Sequence, residues 1–386
     1  MLCGEKELIY RGACFTNVLL ILLTALVMKH LVLVGGGHSH AIALRNFAQS
    51  PIPNTKITLI SDVSHAPYSG MIPGYIAGFY NWADCHINLH QLAQLAGATV
   101  IQAPAIGLDL TQKLVKFNQS ESINFDVVSI NIGSTPQAQQ LGIPVKPISV
   151  FLNHWQQVML EPIQSLGIIG AGVAGVELAL NMQTKLQVKI HLFQRGTEIL
   201  PRLNAQVRRH CLAALQKRQI QIHTQTSVEQ VTKIVTGGFE VNTGTGVVEC
   251  DRIFWATPAI APPWLASSGL ATDPEGFVVV NSHLQAVSYP WVFAAGDIAS
   301  LVGYKLPKAG VFAVRQGPVL AHNLRQACLG KSLKPYRPQR LYLSLIGLGN
   351  RRAIASYGRF CWSGRLVWHW KDWLDRQFMA QFPKGT

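Results

Sequence analysis

The chain has 386 residues, enough for two domains and a small third. Hydrophobic residues make up 48% and charged residues only 13%, with 33 glycines; such a chain can bury large cores, and a disordered or fibrous class is excluded. Lys and Arg outnumber Asp and Glu by 33 to 19, a formal charge of +14. The excess gathers in residues 331–386, where eleven Lys/Arg face only Asp372 and Asp375, beside Trp362, Trp368, Trp370 and Trp373. A basic, Trp-rich end predicts an anionic contact, either lipid headgroups or an acidic protein. It carries no nucleic-acid motif, so nucleic acid is not an expected partner. The seven cysteines, at 3, 14, 85, 211, 250, 328 and 361, include no C-x-x-C pair. That speaks against a redox dithiol and against a zinc or other metal site, and for a reducing compartment.

In chain order, residues 1–27 come first, with an apolar run at Val18–Met28 too short to span a bilayer and without a clear cleavage site. The run reads as a secretory h-region or, better, as an extension left upstream of Met28 by a misplaced start codon. Leu31–Val34 is the first expected strand, Ala41–Ala48 its helix, and Lys56–Ile60 the second strand, ending at Ser61-Asp62. Tyr68–Gly78 is a glycine-rich loop or helix start. A buried strand from Phe125 breaks at Gly133, ahead of Ser134-Thr135-Pro136. Leu166–Ile169 and Val188–Phe193 open a second unit; Arg252–Ala256 breaks at Thr257-Pro258, and Trp291–Ala295 runs into Gly296-Asp297. Pro307–Leu329 reads as a long helix with proline at its start, where the missing N–H is harmless. Leu366, Trp370, Trp373, Leu374, Phe378 and Phe382 share one helical face, with His369, Lys371, Asp372, Asp375 and Arg376 off it. The alternation of strands and helices predicts an α/β fold with parallel sheets.

Two loops carry the chemistry. Gly35-Gly36-Gly37-His38-Ser39-His40 and Gly170-Ala171-Gly172-Val173-Ala174-Gly175, followed by Glu177, each succeed a short apolar strand and open a helix. Glycine permits the tight turn and close backbone approach, and the helix N-terminus offers N–H groups to a pyrophosphate. Two such loops predict two dinucleotides, hence an electron carrier fed by another carrier, and a duplicated nucleotide-binding unit. Asp62 stands near the place from which an acid accepts from the adenosine ribose hydroxyls, one position later than usual.

Taken together, these runs resemble the pyridine nucleotide–disulfide oxidoreductase superfamily over about residues 29–330. The resemblance implies two Rossmann-like dinucleotide-binding domains and a small C-terminal region: an extension at 1–27, an FAD domain at 28–150 and 260–330, an NAD(P)H domain at 151–259, and a basic tail with an amphipathic helix at 331–386. It implies FAD held by Gly35, Gly37, His38, Ser39, His40, Asp62, Gly133 and Gly296, with Asp297 at the ribityl and phosphate region. Lys308 and Ala309 are then implied at a helix N-terminus facing the flavin pyrimidine, where reduced flavin is negative. NADH or NADPH falls to Gly170, Gly172, Gly175, Glu177, Gln194 and Arg195. Closer still, the chain is similar to the type II NADH dehydrogenase-like domain fused ahead of selenide, water dikinase in cyanobacteria. Gly35–His40, Tyr68–Gly74, Pro307–Gly317 and Trp370–Met379 carry that likeness. The chain shows no Gly-x-x-x-x-Gly-Lys-Ser/Thr phosphate loop of its own.

Three departures qualify the pattern. His40 stands at the third glycine position of the first loop, as a pyrophosphate contact or as a tolerated side chain. The second unit's strand ends Phe193-Gln194-Arg195 without an acid; Arg195 can meet a 2′-phosphate and Gln194 a ribose, which makes NADPH a donor beside NADH. Gly310-Val311-Phe312-Ala313 and Arg315-Gln316 only partly match the quinone-side runs of type II NADH dehydrogenases. Cys85, beside the segment where relatives carry a dithiol, is single. His65, Tyr68, Pro73 and Lys308 are expected to flank the flavin, none of them as an assigned acid. The expected activity passes a hydride from NAD(P)H to FAD, then electrons to an external acceptor, a quinone or another small oxidant, without a redox-active disulfide. The alternative is a non-turnover flavoprotein sensor or a partner module for a selenide, water dikinase. The expected location is cytoplasmic, or peripheral on the cytoplasmic face of a membrane through 331–386; the same segment could instead dock on its own domain or on a dimer partner, and docking is favoured.

Overall fold

The structure is a computed structural model that describes residues 28–118, 120–136, 141–235, 237–258 and 260–384. The expectations for 1–27 lie outside the described residues. Strands β1 (Lys29–Val34), β2 (Thr55–Ser61), β3 (Ala98–Gln102) and β4 (Val127–Ile130) pair in parallel in the order β4–β1–β2–β3. Leu31–Val34 and Val127–Ile130 are buried throughout, as strands covered on both faces must be, which is why they read as apolar runs, broken only by Ser129. An antiparallel meander, residues 105–124, separates β3 from β4.

The chain then crosses to a second parallel sheet built from β5 (Ile143–Pro144), β6 (Ser165–Ile169), β7 (Lys189–Phe193), β8 (Gln221–His223) and β9 (Arg252–Trp255). Its order is β5–β9–β6–β7–β8, and a second meander, residues 228–250, precedes β9. β10 (Val292–Ala294) returns to the first sheet beside β4. The two crossings meet at a bridge between Thr135 and Ile260. Because β5 already belongs to the second sheet, the first crossing comes before residue 143, earlier than the expected break near 150. Both sheets follow one plan: a central strand, β1 or β6, has its next strand on one side and the strand after the meander on the other. That reversal is the switch point where open α/β sheets bind ligands.

Helix α1 (His38–Gln49) follows β1, and α2 (Val173–Leu186) follows β6. Helix α3 (Gly310–Cys328) starts three residues later than expected. Ala309 is extended (φ −137°) and forms the N-cap, and its N–H donates to the Pro307 carbonyl, so the proline lies outside the helix. Lys308 and Ala309 remain at its N-terminus. Helix α3 lies so close to α1 that a Cβ on Gly317 would come within 2.7 Å of Ile42. One apolar core runs through both sheets and these helices; a small cluster of Ile169, Phe193, Val241, Cys250 and Ile253 fixes the second meander.

The tail forms an antiparallel sheet of β11 (Ser344–Gly347), β12 (Ala353–Tyr357) and β13 (Phe360–Gly364), then α4 (Arg365–Met379). Here the structure corrects the sequence. Helix α4 buries Lys371, Asp375 and Met379, while Leu366 is 85% and Trp373 57% exposed. Only Leu374, Phe378 and Phe382 of the expected stripe turn inward. The helix is docked, but on a different face. Lys371 and Asp375 can go inside because they satisfy each other: Lys371 Nζ lies 2.6 Å from Asp375 Oδ2 and donates to the Gly70 carbonyl at 2.5 Å. A paired and hydrogen-bonded charge avoids most of the cost of burial.

Candidate functional site

The first glycine loop leaves β1 at Gly35, whose φ is +93° and where a Cβ would come within 2.5 Å of the Asn131 carbonyl oxygen. Gly37, the N-cap of α1, brings no side-chain acceptor of its own, and the first turn takes one from outside the helix. Asn131 is the brace that motif reading missed. Its Oδ1 accepts from the Ser39 N–H at 3.1 Å, and its Nδ2 donates to the Ala295 carbonyl at 2.6 Å, tying the loop to the Gly296-Asp297 turn. Ser39 Oγ donates to the Ala313 carbonyl on α3.

His40 is fully buried. Its Nδ1 lies 2.7 Å from the Gly35 carbonyl and its Nε2 2.8 Å from Ser129 Oγ. Its ring is part of the loop's frame, with both nitrogens engaged within the protein. His38 behaves oppositely. Its Nε2 is buried without a protein partner, its ring stands edge-on to Tyr68 at 5.4 Å, and burial pushes its imidazole down to about 4, against a slight upward pull from Asp297. It is therefore a neutral ring with one nitrogen available to a ligand.

Around Asp297 the groove gathers charge. Lys146 Nζ lies 2.5 Å from Asp297 Oδ2. Lys308 donates to the Ala299 carbonyl at 2.9 Å and sits 3.6 Å from the centre of the Phe277 ring; burial pushes its ammonium down to about 8. Gly296 (φ +74°) donates its N–H to Gln316 Oε1 at 2.6 Å. Asp62 is exposed at the end of β2, and Gly133 (φ +73°) has open space where a Cβ would be. A glycine cradle at a helix N-terminus, an orphaned imidazole nitrogen and an anchored Asp fit FAD.

The second loop repeats the first. Gly170 (φ +107°) approaches the Ala256 carbonyl, Gly172 caps α2 with no side-chain bond, and a Cβ on Gly175 would overlap the Gly170 carbonyl oxygen. Gln194 is engaged within the protein: its Oε1 accepts from the Ala171 N–H and its Nε2 donates to the Glu198 carbonyl. Arg195 is exposed just beyond β7. These residues fit a pyridine nucleotide, with Arg195 as the free side chain at the strand end.

Between the two loops lies a buried polar corner closed by the tail. Glu177 Oε1 accepts from the Gly347 N–H at 2.6 Å, and burial pushes its carboxyl up to about 7, with Lys371 pulling the other way. Tyr68 stacks on Phe378 at 4.6 Å and bonds the Asp375 carboxylate; burial and that carboxylate raise its phenol well above the usual range. Pro73 is buried in the short helix Ile72–Ile76, close to Gly347. His65 stands edge-on to Trp82 at 4.9 Å. Cys85 is buried, its thiol pushed up to about 12, which marks it as structural. Lys146, Lys371 and Asp375 escaped sequence reasoning because a lone lysine before a proline, and charges on the polar side of a helical wheel, carry no motif.

A family model described as pyridine nucleotide-disulphide oxidoreductase matches residues 29–325. Ferroptosis suppressor protein 1 of Xenopus tropicalis is 24% identical over 86% of this chain and 90% of its own length. The demethylphylloquinone reductase NdbB of Synechocystis is 26% identical over 69% of this chain and 70% of its own. Among solved structures, the sulfide:quinone oxidoreductase of Aquifex aeolicus superposes with a TM-score of 0.72 at 18% identity, covering 92% of this chain and 91% of the other.

Proposed function

The chain belongs to the pyridine nucleotide-disulphide oxidoreductase family, an oxidoreductase that works with FAD and NAD(P)H, and from that premise we propose that it reduces a quinone-class acceptor at a membrane surface. FAD falls to the first sheet, with Gly35, Gly37, His38, Ser39, Asp62, Gly133, Gly296, Asp297, Lys308 and Ala309 around it. NAD(P)H falls to the second, with Gly170, Gly172, Gly175 and Arg195. Bound FAD supplies the two-electron relay between nicotinamide and acceptor. The chain's own residues position the dinucleotides, exclude water and hold a proton.

The observation that carries the acceptor is the corner sealed by α4. Tyr68 and Phe378 make an aromatic wall there, and the other side of α4 presents Leu366, Trp370 and Trp373 to solvent beside exposed Phe360 and Trp362 on β13. Arg359 and Arg365 are exposed among them. Aromatic side chains among arginines suit the headgroup region of an anionic membrane, from which a lipophilic acceptor would reach the corner. No helix among the described residues is long and apolar enough to cross a membrane; the attachment we propose is peripheral, on the cytoplasmic face. A relative named for demethylphylloquinone reduction supports the same acceptor class. Reducing a quinone consumes one proton: NAD(P)H + Q + H⁺ gives NAD(P)⁺ + QH₂. Glu177, with its carboxyl near 7 and Lys371 close by, is the group suited to hold that proton at neutral pH.

Steady-state turnover of the FAD-loaded protein with NADH or NADPH and a water-soluble quinone tests the reading. Continuous quinol production is expected. Flavin reduction that stops after one equivalent with every quinone tried would overturn it in favour of a sensor or partner module.

A further inference from the structure

Lys146 belongs to no motif, yet its position is specific. It follows β5, the edge strand of the second sheet, where Ile143 and Pro144 pair with Phe254 and Trp255 and the Val145 N–H donates to the Trp255 carbonyl. Its partner Asp297 follows β10 of the first sheet, held by the Ala295 N–H on the Ile130 carbonyl and by Gln316 on Gly296. The ion pair, 2.5 Å long, therefore spans the junction between the two nucleotide-binding halves. Ser134 Oγ, on the first crossing, lies 3.5 Å from the same ammonium. The side chain of Asp297 is only 17% exposed, and its charge reaches His38 of the first loop as well as Lys308. Lys146 thus belongs to the charge cluster of Asp297 and Lys308 beside His38 of the first loop.

We propose that Lys146 is a further positioning residue of the FAD site, reaching from the NAD(P)H-binding half to neutralise Asp297 where a dinucleotide brings its own negative charge. The inference rests on FAD occupying the first-loop site proposed above. A pyrophosphate is a dianion, and reduced flavin adds negative charge at its pyrimidine edge. An unneutralised carboxylate facing both is repulsive, and the repulsion grows on reduction. The lysine removes it, and its attachment to β5 makes the strength of the flavin site depend on how the second half sits against the first.

The test measures FAD affinity of reconstituted apoprotein and the flavin midpoint potential at saturating FAD. Lys146→Met should weaken FAD binding tenfold or more. It should also lower the potential; a tenfold loss of reduced over oxidised flavin is about 30 mV. Lys146→Arg keeps the charge and should stay within threefold of wild type. Lys146→Gln keeps a hydrogen bond to Asp297 without the charge and should follow the methionine variant, which guards against misfolding of the latter. Adding Asp297→Asn to Lys146→Gln should return the potential toward wild type, a rescue that a mere tether between halves does not predict. Wild-type affinity and potential in the glutamine variant overturn the proposal for Lys146 alone. Wild-type apoprotein that takes up no FAD would instead sink the flavin reading beneath it.

Discussion

Replacing Glu177 by glutamine isolates the one carboxyl that this corner holds near neutrality. Its usual value of 4.5 is raised to about 7 by burial, against the pull of Lys371 and of the Gly347 N–H. Between those two pH values the folded protein holds a proton that the unfolded chain has lost, so this group's contribution to stability falls as pH rises from about 4.5 to about 7, then levels off. At about 1.4 kcal/mol per pH unit, the ceiling is about 3 kcal/mol. Glutamine keeps an amide oxygen for the Gly347 N–H and cannot ionise. Near pH 5 the variant and wild type should be close in stability, and by pH 8 the variant should be the more stable by about 2–3 kcal/mol. Denaturant unfolding of FAD-loaded protein at half-unit pH steps reads this directly. A gap that stays constant from pH 5 to pH 8 would refute the reasoning, because Glu177 would then titrate like an exposed carboxyl. The same variant should lose quinone turnover near neutral pH while still accepting electrons from NAD(P)H in a single-turnover experiment.

Gly175→Ala places a methyl group against the Gly170 carbonyl and should abolish NAD(P)H binding while bound FAD, read by absorbance, is retained. Arg195→Ala should raise the KM for NADPH more than that for NADH; equal change in both would return Arg195 to an ordinary surface side chain. Trp373→Asp and Leu366→Asp should leave the melting temperature within a few degrees of wild type, since both side chains are exposed, and should abolish sedimentation with anionic vesicles. Wild-type sedimentation should fall with added salt, the Coulomb part being screened over a Debye length of roughly 8 Å at physiological strength.

The parts legible in the sequence were those whose signal is local. The glycine loops, the buried β1 and β6 and the helices behind them follow from backbone sterics and unbroken apolar runs, and their residues could be numbered in advance. What escaped was set by partners distant in sequence. For His40 the loop position leaves a pyrophosphate contact and a merely tolerated side chain both open, and only the fold shows that Ser129 on β4 and the Gly35 carbonyl engage both its nitrogens. Gln194 reads as a ribose contact because it ends the strand, and the Ala171 N–H and the Glu198 carbonyl engage its amide. The α4 stripe was misread for the same reason. A helical wheel counts Lys371 and Asp375 as solvent-facing, and nothing in the local sequence shows that Gly70 and Tyr68, some 300 residues earlier, will accept them.

That inversion bears on how the tail works. Had α4 buried Trp370 and Trp373, it would be a structural cap with a polar back. Instead it buries an ion pair and keeps its largest apolar groups outside, an arrangement that hydrophobic burial alone would not select. The buried pair serves the inside: Lys371 and Asp375 contact Gly70 and Tyr68 from the first half and act electrostatically on Glu177 from the second. The exposed aromatics serve the outside. On the proposed reading, one helix joins a lipid-facing surface to the corner that holds the Lys371–Asp375 pair and Glu177. A change in how α4 seats, whether by lipid contact or by substitution, must alter the surroundings of Glu177. The midpoint of the Glu177 titration should accordingly shift when the protein is bound to anionic vesicles, and it should not shift in Trp373→Asp, which cannot seat there.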